Sequence, residues 1–152
     1  MNGHGSPSLV KKMGRLVEES GGIIKFDLKA YSEPIYRALC GVSNEPSYKN
    51  FTMLADSFDF ENRDYPPLMA TTLLVPHYVD EYEVSQIAKF LKELNQPSIE
   101  YSLLVFHPQH LMKDLPTTPL RQVQRCYDAV KRELGKSPHI GNLHLLAGKL
   151  VL

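Results

Sequence analysis

Apolar positions along this chain keep two different rhythms. Leu9, Val10, Met13, Leu16 and Val17 recur at helical spacing, and Val84, Ile87, Ala88, Leu91 and Leu94 line one face of a second, clearer amphipathic segment. Between such segments stand short apolar runs of strand length: Ile23-Ile24-Lys25-Phe26-Asp27-Leu28, Thr71-Thr72-Leu73-Leu74-Val75 and Tyr101-Ser102-Leu103-Leu104-Val105-Phe106. Ser6-Pro7 offers a helix cap followed by a first-turn proline, and Gly21-Gly22 a stop, so the pattern predicts a helix over 7–19. It then predicts a strand over 22–28, a short helix over 33–39 closed by Gly41, and a helix starting after Glu45-Pro46. A charged, turn-rich connection over 57–67 leads to a strand over 68–75, a helix over 79–95 and a strand over 99–106. A proline-rich loop over 108–119, a helix over 120–134 and a last strand over 139–146, interrupted by Gly141-Asn142, complete the chain.

Strands separated by helices call for a parallel α/β sheet with crossovers of one hand. The 152 residues are expected to form a single domain over 1–152. There are 17 basic and 17 acidic residues, a net charge of zero, which argues against nucleic-acid or membrane-surface partners. No apolar stretch approaches bilayer-spanning length. Two isolated cysteines, Cys40 and Cys126, fit a reducing, cytoplasmic setting better than a disulfide framework, and neither has metal-site spacing.

The chemistry sits where strands end. Asp27 and Lys29 are two residues apart, so a strand points them to the same side. The next two apolar runs end at His77 and His107. Ionisable groups at several strand tips are how a parallel sheet builds a site at its carboxyl edge. Each has a plainer reading: a capping acid and a solvated lysine at an ordinary strand end, and a histidine bonding its own loop. Tyr31, Tyr36 and Tyr48 read as packing, the spacing of His4, His77 and His110 fits no metal motif, and His139 and His144 read as incidental. Gly3-His4-Gly5 before a helix is a weak phosphate signal.

The ordered set Asp27-Leu28-Lys29, Cys40-Gly41-Val42-Ser43-Asn44, Leu74-Val75-Pro76 and Val105-Phe106-His107-Pro108 resembles the later half of radical SAM activating enzymes, of which pyruvate formate-lyase activating enzyme is the best-known relative. Of the two, it more nearly resembles the radical SAM protein of the AmmeMemoRadiSam system, which shares the Phe-His-Pro strand end. The resemblance runs from Asn2 to about Asn142. It implies the C-terminal part of a partial (β/α)6 TIM-like barrel, S-adenosylmethionine as cofactor, and a [4Fe–4S] cluster in the intact parent, which generates a 5′-deoxyadenosyl radical.

By the same resemblance, Asp27 and Lys29 contact the ribose and the methionine carboxylate. His107 lies near the ribose, Val75 near the adenine, and Asn2 has a supporting role. His77 departs from the pattern, where glycine commonly follows the proline. The family's Cys-x3-Cys-x2-Cys loop and Gly-Gly-Glu segment have no counterpart here, so the chain is expected to be a truncated piece that is inactive alone. Asn2-Gly3-His4-Gly5 has the chemistry of a loop following a strand. The strand over 22–28 is therefore expected to present an open sheet edge, exposed or paired with another molecule.

Two other functions fit the residues. One is an aldolase-like fragment with Lys29 as Schiff-base nucleophile, against which the neighbouring Asp27 weighs by favouring the charged lysine. The other is a non-catalytic module that binds a partner, or a second copy, through its sheet edge. The substrate of the radical stays open, a protein among the candidates.

Overall fold

The computed structural model describes residues 1–60 and 65–146; the middle of the 57–67 connection lies outside them. The elements follow the order α1 (Pro7–Ser20), β1 (Ile24–Asp27), α2 (Glu33–Cys40), α3 (Glu45–Ser57), β2 (Leu68–Leu74), α4 (Glu81–Glu93), β3 (Glu100–Val105), α5 (Leu120–Leu134) and β4 (His139–Gly141). Short 3-10 turns cover His110–Met112 and Leu143–Leu145.

Local chemistry sets the boundaries. The Ser6 hydroxyl accepts from the Leu9 amide at 3.3 Å, and Gly21 closes α1 in the left-handed conformation. Asp80 accepts from the amides of Tyr82 and Glu83, so α4 starts two residues later than the apolar periodicity predicts. The last strand is shorter than expected. Asn142 turns left-handed at φ 61°, its side-chain amide donates to the Val105 carbonyl at 3.1 Å, and the chain continues into a 3-10 turn.

All four strands are parallel and lie in the order β1-β2-β3-β4. That order never reverses. Right-handed crossovers then stack every connecting helix on one face, the arrangement of a barrel arc and not of a doubly wound sheet. On the helical face, Ile24, Phe26, Leu68, Ala70, Leu74, Tyr101, Leu103, Val105 and Ile140 join Val10, Phe51, Leu54, Val84, Ile87, Val123 and Val130 in one buried core. The alternate strand positions point the other way.

The open edge of β1 carries one rung. The Met1 amino group donates to the Lys25 carbonyl, and the Met1 carbonyl accepts from the Asp27 amide at 2.8 Å. This is the parallel pattern, with Met1 opposite Phe26. Gly3 follows in the left-handed conformation, and a β-carbon there would stand 2.3 Å from the Phe26 ring. Its carbonyl is held by the Asn50 amide at 2.8 Å, and the Asn2 carbonyl by the Ser47 hydroxyl at 2.7 Å.

Candidate functional site

The second face of the sheet carries polar groups in register. Asp27 pairs with Thr71, Thr71 with Ser102, and Ser102 with His139, so one rung crosses all four strands as acid, hydroxyl, hydroxyl and imidazole. The rung before it runs Lys25, Met69, Glu100, and two residues further on Leu73, Leu104 and Gly141 share a rung. A cavity of about 320 Å³ lies against Met1, Lys25, Asp27, Thr71, Ser102, Leu104, His139 and Gly141.

Asp27 and Lys29 stand together as the two-residue spacing predicts. Lys29 Nζ lies 3.0 Å from Asp27 Oδ2, and both side chains are partly open, 27% and 31% exposed. The Thr71 hydroxyl donates to Asp27 Oδ1. Burial alone would raise the Asp27 pKa, but hydrogen bonds from Thr71 and Lys29, the Lys29 charge and the amino terminus together hold it below the ordinary value. One ammonium bond and one hydroxyl bond leave further donor and acceptor capacity on both partners.

The loop that carries Lys29 is fixed from beneath. Glu83 is buried and accepts from the amides of Tyr31 at 2.7 Å and Ser32 at 2.9 Å, and from the Ser32 hydroxyl. Thr72 donates to the Leu28 carbonyl at 2.7 Å and accepts from the buried Tyr101 hydroxyl at 2.8 Å. The carboxyl ends of β2 and β3 are joined by Thr118, which accepts from the Phe106 amide and donates to the Leu74 carbonyl, each at 2.7 Å.

The other residues singled out from the sequence are more scattered. Val75 is buried in the helical core, its carbonyl accepting from the Val79 amide at 3.0 Å. Asn2 is exposed and contributes its backbone carbonyl to the Ser47 bond. His107 is exposed beyond the end of β3, with no hydrogen bond or ion pair among the described residues. His77 is exposed as well, and adopts φ 68°, the left-handed turn that glycine would take most easily. The imidazole that shares a rung with Asp27 is that of His139, which the sequence pattern left as incidental. Thr71 and Ser102 were also missed. Their signal was a hydroxyl at alternate positions inside otherwise apolar runs.

Tyr36 is fully buried, its hydroxyl 2.9 Å from that of Ser47, and the Tyr48 ring packs edge-on against Phe90 at 4.8 Å. The cysteines do not suit an iron–sulfur cluster. There are two in the chain; Cys126 is buried in the core, where desolvation pushes its thiol up to about 12, and Cys40 on α2 is half-buried with its thiol also pushed up by burial. Among the described residues no group of three His, Cys, Asp or Glu could hold a metal ion, and no helix is long and apolar enough to cross a membrane.

Among solved structures the chain is similar to the crystal structure of a domain of pyruvate-formate lyase-activating enzyme from Bacteroides vulgatus ATCC 8482. The two are 23% identical, with a TM-score of 0.69 over 89% of this chain and 74% of that one. No family model and no curated protein matches the sequence. The likeness establishes a shared fold: an α/β architecture with four parallel strands in an open sheet and helices between them, consistent with part of a TIM-like barrel.

Proposed function

We propose that this chain is the later part of a radical SAM activating-type enzyme, and that Asp27 and Lys29 bind the polar ends of S-adenosylmethionine. The single observation that carries the reading is the Asp27–Lys29 pair, 3.0 Å apart on the uncovered sheet face, in a chain with the fold of an activating-enzyme domain. A carboxylate with free lone pairs accepts from ribose hydroxyls, and an ammonium with free donors binds the methionine carboxylate. Thr71 aims the acid and Glu83 holds the lysine's loop, so the pair is arranged before any ligand arrives.

In the parent enzyme the cofactor and a [4Fe–4S] cluster supply the radical chemistry. The cluster's thiolates must come from outside this chain, because Cys40 and Cys126 do not fit it. What the chain contributes is binding and orientation of the nucleoside, and on its own it is inactive. A Schiff-base role for Lys29 is disfavoured, since its Nζ already serves as a donor to Asp27.

Calorimetry with S-adenosylhomocysteine tests the reading. Asp27→Ala, checked for folding by circular dichroism, is expected to weaken binding at least about tenfold, the worth of one charge-assisted hydrogen bond. Equal heats for the two proteins would remove the assignment.

A further inference from the structure

We propose that Ser102, His139 and Lys25 form a second subsite on the same sheet face, one that takes an oxyanion group, carboxylate or phosphate, of a small substrate. This goes beyond the nucleoside reading and stands without it.

Three observations converge. The first is Ser102. It is only 5% exposed, it faces the 320 Å³ cavity, and among the described residues its hydroxyl has no hydrogen-bond partner. Every buried side-chain polar atom among the described residues has a partner, so this unpartnered hydroxyl opens into the cavity. Its neighbour Thr71 shows the contrast, since that hydroxyl is spent on Asp27. The second is His139, directly opposite Ser102 on β4. Adjacent strands stand about 4.8 Å apart, so hydroxyl and imidazole can reach one bound group, and no described residue engages the ring.

The third is the charge balance. Lys25, one rung below Asp27, forms no ion pair among the described residues. Asp27 is committed to Lys29, and Glu100, which shares the Lys25 rung and lines the adjoining hollow, stands there against two lysines, Lys25 and Lys136. The unmatched charge facing the cavity is therefore positive. Lys25, Ser102 and His139 also line the adjoining hollow of about 720 Å³ towards the amino ends of the strands, which makes them the shared wall between two openings.

Two hydrogen-bond donors and an ammonium around one cavity are the chemistry of oxyanion capture. The polar rung spans three strand spacings, about 14 Å. A ligand on the Asp27–Lys29 end therefore leaves the Ser102–His139 end free for a second molecule.

The test is a nuclear magnetic resonance titration of the isotope-labelled chain in a buffer free of other oxyanions. Sodium phosphate and sodium acetate are the probes. Saturable shifts confined to Ser102, His139 and Lys25 are expected. A response to phosphate alone or to acetate alone would support the subsite and identify its group. Ser102→Ala and His139→Gln should each weaken that response at least fivefold while leaving the heats with S-adenosylhomocysteine unchanged. Shifts that never saturate and spread over all surface lysines, or saturable shifts that survive both substitutions, would overturn the proposal whatever the outcome at Asp27.

Discussion

At the scale of single residues, backbone conformation accounts for two positions that composition could not. Gly3 combines a positive φ with contact against Phe26, so both its torsion and its missing side chain are required. His77 is the reverse case, a side chain carrying the torsion that suits glycine. A left-handed non-glycine residue costs about 1–2 kcal/mol, less for histidine than for branched residues. His77→Gly should therefore leave stability unchanged or raise it by up to about 1 kcal/mol, whereas His77→Val should lower it by at least about 1 kcal/mol. Urea midpoints of the two variants check both directions. The resemblance to a glycine-bearing pattern had marked this loop as a departure. In the structure His77 adopts a turn that suits glycine, with its side chain exposed.

At the scale of elements, boundaries were legible wherever a cap or a glycine wrote them: Ser6 and Gly21 for α1, Gly41 for α2. Side-chain roles that reach across the fold were not legible in the same way. Thr117-Thr118-Pro119 reads as a helix start, and α5 does begin at Leu120, yet the Thr118 hydroxyl works elsewhere, tying β2 to β3. Thr118→Val keeps the shape but strands a buried amide and a buried carbonyl. It should cost about 1–3 kcal/mol, read from denaturant unfolding, with faster amide exchange at Phe106 as the local signature.

At the scale of the whole molecule, the polar row across the sheet was hidden because it is a property of register. Period two along one strand told which way Asp27 and Lys29 point. It could not tell which residue of the next strand stands opposite, since parallel pairing is set by packing across more than 30 residues of chain. Asp27, Thr71, Ser102 and His139 are scattered over the sequence and become one feature only after the sheet forms. The row also ties folding to acidity. The folded Asp27 pKa is depressed, so its contribution is complete above the unfolded carboxylate value near about 4 and is lost as pH falls through the folded value. Asp27→Asn should therefore lower stability at neutral pH, with the gap to the unmodified chain closing as pH drops towards about 2. Denaturant midpoints across that range give the measurement, and a constant gap would dissociate the carboxylate from acid sensitivity.

Glu83 belongs to the first turn of α4, yet what it grips are the two peptide groups just past Lys29. The connection after β1 is thereby clamped to a scaffold helix and cannot breathe apart from it. Local opening of the lysine-bearing rim then requires the helix start to come away as well, so the rim inherits the cooperativity of the packed layer behind it and not the looseness of an ordinary surface loop.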